Sequence, residues 1–424
     1  MNDLAIPKLA FTGCAAGSRG PSVSVETAIA LARDLATPVG ERETVALSAA
    51  LGRALSSGME SPSALPLFPN AAMDGYAITA GDLKGPGPWE LPVAGRLAAG
   101  STDIPHQRPN TAIRIMTGAP VPRGADTVVM QEKCARIGNT VRIQERPTPG
   151  KHVRLPGEDV AIGTAIADAG QELTARHAAL FAALGIAKVD VLRRIRVGLV
   201  STGSELREPG CDLAPGQIFN SNRFYLQARL QRPWIEIEDF GMVPDELDST
   251  RTVLGKAAAT CDVVISTGGV SAGEEDHVRE ALRGLGAEMD VLKVDMRPGK
   301  PVTVGRIGQV LYVGLPGNPF ACAMTFMHIA WPAIRRTGGM ADGACETFLG
   351  VADFSYSGKP GKTEFVPVTW SDRDVYGRPV VERLGRGSSA SLHPYAAARA
   401  IAQIGPTGVH VRDGDELVLF PVDF

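Results

Sequence analysis

A chain of 424 residues is too long for one ordinary hydrophobic core, so its length predicts two to four domains. Hydrophobic residues make up 44% and charged residues 21%, which is typical of globular proteins, and the 48 glycines and 31 prolines predict many turns. The net charge of −3 excludes a protein whose whole surface is basic, so we expect no nucleic-acid partner and only local patches for anions.

The six cysteines are scattered, without a Cys-x-x-Cys pair or a close group of cysteines and histidines. This spacing predicts reduced structural thiols rather than a disulfide framework or a zinc site. No apolar run reaches the roughly 20 residues of a membrane-spanning helix, and the N-terminus lacks the pattern of a secretion signal. We therefore expect a cytoplasmic protein without a membrane contact.

The first segments in chain order are a tail and a helical region. Residues 1–22 are rich in Ala, Gly and Ser without periodicity, which predicts a mobile tail. Helical spacing of apolar residues follows at 23–35, around 47–55 and near 173–184. We expect an elongated helical domain that is built from residues 23–60 and 145–190.

Two β-rich segments and one α/β segment complete the chain. Short strands broken by Gly and Pro predict an inserted β-rich domain at residues 61–144. Apolar strands alternate with helices over residues 191–340, which predicts a doubly wound parallel sheet covered on both faces. Residues 345–424 return to alternating strands and turns, as in a β-barrel-like domain. The predicted fold class is therefore α/β and multidomain.

Individual elements of the α/β segment can also be predicted. The strands are expected at 197–200, 235–240, 263–265 and 310–313. The helices are expected at 223–230, 246–259, 276–285 and 319–334. In such a sheet, ligands bind beyond the carboxyl ends of the strands, where helix N-termini and tight turns present backbone amides.

Three glycine turns occupy such positions, at residues 201–205, 266–271 and 314–319. Glycine lets the backbone approach a ligand closely, and the exposed amides suit phosphate oxygens. A single turn of this kind is usually only a connection, but three in one sheet favour a binding site. The candidate ligand-binding residues are Gly203, Gly268, Gly269, Ser271, Gly317 and Asn318.

Charged residues accompany these turns. Lys293, Arg297 and Lys300 lie close together in the sequence and are expected to form one anion-binding patch. Carboxylates beside a bound phosphate require a divalent cation, so Glu205 and Asp276 predict Mg²⁺. The sequence does not show which of the two carboxylates coordinates the metal.

Five separated motifs resemble one known family, and the resemblance runs from about residue 23 to the C-terminus. They are Met-Asp-Gly-Tyr-Ala at 73–77, Met-Thr-Gly-Ala-Pro at 116–120, Gly-Glu-Asp at 157–159, the stretch from Ser266 to Asp276, and Gly-Leu-Pro-Gly-Asn-Pro at 314–319. The chain is identified on these motifs as a member of the molybdopterin molybdenumtransferases, called MoeA in bacteria and represented by the E domain of gephyrin.

The resemblance implies four domains and a homodimer whose active sites combine the α/β domain of one subunit with the β-rich domain of the other. It implies a reaction in which molybdate enters adenylylated molybdopterin with release of AMP, assisted by a divalent cation, and contact with a molybdopterin adenylyltransferase. The catalytic positions carried over are Asp74, Thr117, Asp159, Glu205, Asp245 and Asp276, beside Lys293, Arg297 and Lys300 as ligand-binding positions.

Several residues depart from the family pattern. Arg297 stands where lysine is more usual. Ala321 replaces a serine, Pro367 an arginine and His393-Pro394 a pair of serines, all in the set with which family members bind molybdate. The sequence leaves open whether the donors that remain restore this pocket. The candidates are Arg386, Ser388, Ser389 and His393.

Two alternative functions remain open at this stage. A molybdopterin adenylyltransferase shares the α/β domain, but adenylyltransferases usually read Thr-Gly-Gly-Thr-Gly, whereas Val270 and Ser271 follow Gly269 here. A non-catalytic molybdopterin-binding scaffold is the other alternative, and the altered oxyanion residues keep it open. The sequence does not distinguish molybdate from tungstate.

Overall fold

A computed structural model of the chain describes residues 22–269, 277–341, 346–407 and 410–423. The region predicted as α/β contains a six-stranded mixed sheet, whose spatial order starts with the strand at Ile235–Val243. The strands in this order are Ile235–Val243, Ile195–Thr202, Val263–Thr267, Val310–Leu315, Pro301–Ile307 and Glu288–Lys293. The first four are parallel and the last two pair antiparallel.

The expected elements of this sheet are confirmed, and the sheet is mixed rather than wholly parallel. Each of the four predicted strands belongs to the parallel part. The two antiparallel strands at the edge, Pro301–Ile307 and Glu288–Lys293, were not among the four predicted strands. The helices are Ser221–Leu230, Leu247–Thr260, His277–Gly284 and a long continuous helix. That long helix runs through Pro319–Thr325, a π-helical turn at Phe326–Ala330, and Trp331–Thr337.

Helices cover both faces of the sheet and give it two cores. Val197 and Leu199 point into the larger core, beneath the helices Val25–Leu35 and Pro319–Thr325. Val200 and Val264 point to the opposite face, where Leu247–Thr260 covers them. Apolar residues on both sides of each strand explain why the strands read as nearly continuous hydrophobic runs.

The helix predicted at residues 23–35 is confirmed as Val25–Leu35. The Ser24 hydroxyl accepts a hydrogen bond from the Thr27 amide at 3.2 Å, which satisfies one of the free donors of the first turn. Its buried residues recur at helical spacing and pack on the α/β sheet and the helix Trp331–Thr337.

The helical interpretation of residues 47–55 is wrong. Only a short 3₁₀ turn, Leu47–Ala49, forms there, since the apolar residues of this stretch pack against the helix Ala175–Ala183 and neighbouring strands. The helix expected near 173–184 is present as Ala175–Ala183, and around it short strand pairs join residues 42–71 to residues 153–192. These pairs are Arg42–Ala46 with Lys188–Leu192, Met59–Glu60 with Ala165–Ala167, and Asn70–Ala71 with Val153–Arg154.

The β-rich segment forms a six-stranded sheet of its own. Its strands, in spatial order, are Thr127–Met130, Gly75–Ile78, Ala112–Ile115, Trp89–Leu97, Thr140–Ile143 and Cys134–Ile137. Gly75 allows the close approach of two of these strands, because a Cβ atom there would lie 2.0 Å from the Val129 carbonyl oxygen. The loop that carries Asp74 therefore ends at a tightly packed strand.

The C-terminal region forms a closed five-stranded barrel, as the sequence predicts. Its strands, around the ring, are Thr363–Arg373, Pro379–Arg383, Phe348–Ala352, Glu416–Pro421 and Ala400–Ile404. The short strand Met296–Arg297 from the α/β region adds to Thr363–Arg373 in parallel register, with Arg297 opposite Glu364. This pairing joins the edge of the α/β region to the barrel.

In the described part of the chain, every helix falls short of the length and apolar character that crossing a membrane requires.

Candidate functional site

The three glycine turns of the α/β sheet meet at one edge, because their strands are parallel and end side by side. Thr202, Thr267 and Leu315 end the three strands, and Thr267 is paired with Leu315. The Thr202 hydroxyl donates to the Thr267 carbonyl oxygen at 3.1 Å, and the Gly268 amide donates to the Leu315 carbonyl oxygen at 3.1 Å. The turns are thus fixed to one another rather than to separate parts of the protein.

Gly268 fills the tightest position of this arrangement. Its φ of 89° lies in the left-handed region that side chains disfavour, and a Cβ atom would lie 2.5 Å from the Thr202 carbonyl oxygen. Gly203 and Gly269 also have positive φ values, of 147° and 62°. The glycines of the first two turns are therefore required by the geometry at this edge.

Two cavities open between the turns. The first, which we call the turn cavity, has a volume of roughly 560 Å³ and is lined by Thr202, Glu205, Asn222, Gly268 and neighbouring residues. Asn222 donates from Nδ2 to the Gly317 carbonyl oxygen at 2.8 Å, which ties the third turn to the helix Ser221–Leu230. Apart from Glu205, the described lining residues of this cavity are uncharged.

The second cavity, which we call the basic cavity, has a volume of roughly 580 Å³. Gly317 and Asn318 line it together with the turn cavity, so the two adjoin. Four cationic side chains line its described walls: Arg297, Lys300, Lys359 and Lys362. The structure therefore places a concentrated positive charge directly beside the glycine turns.

A buried carboxylate stands behind two of these cations. The Glu364 side chain is only 3% exposed, and it accepts hydrogen bonds from the Tyr356 hydroxyl at 2.6 Å, the Lys359 amide at 2.7 Å and the Arg297 guanidinium at 3.4 Å. Burial raises the pKa of Tyr356, and the bond to Glu364 adds to this shift. The phenol therefore stays a neutral donor to the carboxylate.

Asp245 lies outside the described lining of both cavities and is bonded to the first glycine turn. Its Oδ2 accepts from the Ser204 amide at 2.9 Å, and its own amide donates to the Ser204 hydroxyl at 3.1 Å. These reciprocal bonds hold the first glycine turn, next to Glu205. Lys293 ends the strand Glu288–Lys293 and is absent from the described lining of both cavities.

Asp74 and Thr117 form a second group in the β-rich region. Asp74 Oδ1 accepts from the Thr117 amide at 2.7 Å and from the Thr117 hydroxyl at 2.8 Å, and these two bonds lower the pKa of Asp74. The Asp159 amide donates to the Leu65 carbonyl oxygen at 3.0 Å, in the loop that leads to Asp74. The described lining of the two cavities includes none of these three residues.

The structure brings together most of the predicted ligand-binding residues. Glu205, Gly268, Gly317, Asn318, Arg297 and Lys300 line one of the two cavities or both. Ser271 and Asp276 lie outside the described residues, as does the first part of the predicted tail. The described residues contain no group of three or more His, Cys, Asp or Glu side chains able to hold a metal ion.

The altered positions and the candidate replacement donors lie in three places. The altered residue Ala321 and the candidate donors Ser388 and Ser389 line the basic cavity. Pro367 lies within the barrel strand Thr363–Arg373, and His393 in the short helix Leu392–Ala396. Of the candidate replacement donors, only the two serines belong to the described cavity wall, which also excludes Arg386.

Lys359, Lys362 and Glu364 are the functional candidates that the sequence analysis missed. A signal for them exists, because Lys-Pro-Gly-Lys at residues 359–362 repeats the cation-Pro-Gly-Lys pattern of residues 297–300. Gly299 and Gly361 both have positive φ, of 106° and 76°. Two similar turns from distant parts of the chain thus line one cavity.

A larger cavity, of roughly 740 Å³, lies at the opposite edge of the sheet. Arginines and carboxylates that are paired with one another line it. Arg193 binds Asp262 through two hydrogen bonds of 2.8 Å, and Arg196 lies 3.7 Å from Glu236. Four carboxylates accompany the five arginines of its described lining, whereas the described lining of the basic cavity has four cations and no carboxylate.

The arrangement at the carboxyl edge suits one extended anionic ligand beside a smaller anion. The glycine turns let a ligand approach the backbone closely in the turn cavity, and four cations in the basic cavity can neutralise charge that lies next to it. Cations that converge in a cleft stabilise phosphate and oxyanion groups more strongly than isolated surface cations do.

Comparison with known proteins agrees with this architecture. Residues 23–185 match the MoeA N-terminal region (domain I and II), residues 198–336 the probable molybdopterin binding domain, and residues 350–420 the MoeA C-terminal region (domain IV). A crystal structure of the molybdopterin biosynthesis MoeA protein from Pyrococcus horikoshii is 26% identical, with a TM-score of 0.80, and the match covers 95% of this chain and 100% of that one.

Curated relatives give the same result at higher identity. Molybdopterin molybdenumtransferase 2 from Mycobacterium tuberculosis is 39% identical over 88% of this chain and 93% of its own length. Molybdopterin molybdenumtransferase from Nostoc is 40% identical over 76% of each chain. The order of the three matched regions, and the coverage of the relatives, show that this chain belongs to the MoeA family of molybdopterin molybdenumtransferases.

Proposed function

We propose that this chain is a cytoplasmic, homodimeric molybdopterin molybdenumtransferase that inserts molybdate into adenylylated molybdopterin and releases AMP. Membership of the family makes the chain a transferase of molybdenum cofactor biosynthesis. The observation that carries the detailed proposal is the pair of adjoining cavities that share Gly317 and Asn318. One suits a pterin nucleotide and the other a tetrahedral oxyanion.

The turn cavity supports binding of the pterin nucleotide. The glycine turns let a nucleotide approach the backbone closely without adding charge, and Asn222 holds the third turn in place through Gly317. Asp245 fixes the Ser204 turn in the same way. These residues bind and orient the ligand, and none of them has to change protonation during the reaction.

The basic cavity supports binding of molybdate beside the nucleotide. Arg297 and Lys300 provide positive charge at the end of the turn cavity, and the Ser388 and Ser389 side of the wall adds hydroxyl and backbone donors. A dianion and a nucleotide phosphate repel each other, so cations must lie between or beside them for both to bind. The proposed role of this wall is to hold the two anions close together.

Mg²⁺ fits the donors that are present. It commonly binds through one or two carboxylates and completes its coordination with substrate phosphates and water. Glu205 provides the carboxylate in the described wall of the turn cavity, and Asp276 is the second proposed ligand. Bound there, the metal would supply charge neutralisation at the nucleotide phosphates.

Shared active sites explain why Asp74 and Thr117 lie apart from the two cavities. Exposed apolar side chains accompany both groups: Leu67, Phe68 and Leu155 near Asp74, and Ile218 and Phe219 at the turn cavity. Exposed apolar clusters of this kind are typical of association surfaces. We propose that two subunits cover these surfaces mutually, and that a molybdopterin adenylyltransferase delivers the nucleotide by direct contact.

The central experiment incubates the purified protein with adenylylated molybdopterin, Mg²⁺ and molybdate. We expect AMP release that depends on molybdate, together with formation of the molybdenum cofactor. Formation of adenylylated molybdopterin from ATP and molybdopterin would instead identify an adenylyltransferase. Ligand binding without turnover in either assay would identify a scaffold.

Subunit mixing tests the shared site. Asp74→Ala and Lys300→Ala each damage a different part of the proposed site, so each homodimer is expected to have low activity. If the sites are shared, a mixed dimer contains one site with both wild-type contributions, and activity returns to about half of the wild-type value per mixed dimer. Lack of recovery after demonstrated exchange of subunits would contradict the shared arrangement.

A further inference from the structure

We propose that Lys359 and Lys362, positioned by the buried Glu364, are oxyanion-binding residues of the basic cavity. This inference rests on the proposed function for the identity of the anion, but it concerns residues of the C-terminal barrel. The two lysines belong to the turn that precedes the barrel strand Thr363–Arg373. They line the same cavity as Arg297 and Lys300 of the α/β region.

The first argument is the repeated turn. Residues 297–300 and 359–362 both read cation-Pro-Gly-Lys, and in both the glycine adopts a positive φ. The two turns lie on one cavity, and each presents two cationic side chains to it. Like charges placed together repel one another, so four cations around one cleft favour the binding of an anion between them.

The second argument is the buried carboxylate. Glu364 accepts from the Lys359 amide at 2.7 Å and from the Arg297 guanidinium at 3.4 Å, so one side chain contacts both turns. Its 3% exposure makes an unpaired charge there costly, which keeps these donors in place. The backbone of the two turns is aligned further by the parallel pairing of Met296–Arg297 with Thr363 and Glu364.

The third argument is the charge balance. Glu364 neutralises only part of the positive charge of the four cations, and it does so from behind the cavity wall. Among the described residues, the ammonium groups of Lys359 and Lys362 form no ion pair with a carboxylate. A tetrahedral dianion such as molybdate supplies the charge that the cavity lacks, and its four oxygens can accept from several donors at once.

The two lysines also replace donors that are lost at the altered oxyanion positions. Ala321 provides no hydroxyl to the basic cavity, and Pro367 lies in a barrel strand, outside the described lining. Lys359 and Lys362 supply cationic donors from the same region, eight and five residues before Pro367. Glu364 acts through other groups, so it is a positioning residue rather than a ligand of the anion.

The test measures molybdate binding directly, by isothermal titration of the purified dimer with and without AMP. Lys359→Ala and Lys362→Ala are each expected to weaken binding about tenfold, as the loss of one charge-assisted hydrogen bond predicts, and the double variant about a hundredfold. Lys256→Ala is the matched control, because Lys256 is exposed on the helix Leu247–Thr260 and is not part of the described lining of the basic cavity. It removes the same charge and should bind molybdate as the wild type does.

Glu364→Gln and Tyr356→Phe separate positioning from folding. Glutamine keeps one acceptor for the Lys359 amide but loses the ionic partner of Arg297, so we expect a KM for molybdate about tenfold higher, with the KM for the pterin nucleotide unchanged. Tyr356→Phe removes one donor from the carboxylate and leaves its contacts with the Lys359 amide and the Arg297 guanidinium, so molybdate binding should stay within twofold. Circular dichroism and thermal unfolding verify the fold of each variant.

The outcomes distinguish this inference from the proposed function. Molybdate binding by the Lys359→Ala/Lys362→Ala variant within twofold of wild type would overturn the inference, even if the wild type is an active transferase. A wild type that binds no molybdate in either titration overturns it as well. Conversely, binding that depends on both lysines in a protein that never releases AMP would support the inference and refute the proposed reaction.

Discussion

Replacement of Gly268 by alanine tests whether the three turns form one rigid unit. At φ 89° a non-glycine residue costs about 1–3 kcal/mol, and the new Cβ would lie 2.5 Å from the carbonyl oxygen and 2.8 Å from the hydroxyl oxygen of Thr202. Relief of that overlap costs roughly another 1–3 kcal/mol. Since the Gly268 amide is bonded to the Leu315 carbonyl oxygen, the turn cannot move away without losing that bond.

The penalty must therefore appear either in stability or in ligand binding. If the turn keeps its position, the free energy of unfolding falls by about 2–6 kcal/mol, and if the turn moves, affinity for the pterin nucleotide falls by at least tenfold. Urea unfolding, followed by the fluorescence of Trp234 and Trp331, measures the free energy of unfolding. Titration with the pterin nucleotide measures the affinity. Gly95→Ala is the control, because its Cβ would meet no atom within 4 Å. A Gly268→Ala protein that matches this control in both measurements would refute the reasoning.

Two further predictions concern protonation. Thr117→Val removes the hydroxyl donor to Asp74, so the Asp74 pKa should rise and the acidic limb of the pH–activity profile should move to higher pH. Thr117→Ser should restore the wild-type profile. An unchanged profile in Thr117→Val would show that the Asp74 carboxylate does not limit activity. Burial lowers the pKa of His328 to about 3, below its ordinary value of 6.5, so the unfolded chain binds the proton first and stability falls as pH drops below 6.5. Between pH 7 and pH 5 this loss of unfolding free energy is about 2 kcal/mol. His328→Leu should abolish the loss, as measured by urea unfolding at the two pH values. An equal loss in the wild type and the variant would contradict the assignment.

The strands and helices of the α/β region could be predicted because local patterns determine them. The strand Val263–Thr267 is buried along its whole length and begins with the apolar residues 263–265, and the helix Val25–Leu35 repeats its buried residues at helical spacing. Residues 47–55 show where such patterns fail. Their apolar side chains pack against a helix and strands from distant parts of the chain, and this contact overrides the local helical spacing.

The turn cavity was partly predictable for a similar reason. Parallel strands bring their carboxyl ends to one edge, so Thr202, Thr267 and Leu315 had to end together once the sheet was known. The roles of neighbouring polar groups were less accessible. Asp245, for example, holds Ser204 through two reciprocal hydrogen bonds, which residue type and sequence position alone do not reveal.

The basic cavity depends on contacts between regions that are far apart in the sequence. Arg297 and Glu364 face each other only because the short strand Met296–Arg297 adds to a barrel strand that begins at Thr363. The cation-Pro-Gly-Lys pattern occurs twice in the sequence, but nothing in either turn specifies that the two line one cavity. A change that shifted this pairing by one residue would leave both turns chemically intact and would move Glu364 away from Arg297. The proposed anion site therefore depends on the junction between the α/β sheet and the barrel, and we expect variants that disturb the junction to lose molybdate affinity before they lose affinity for the pterin nucleotide.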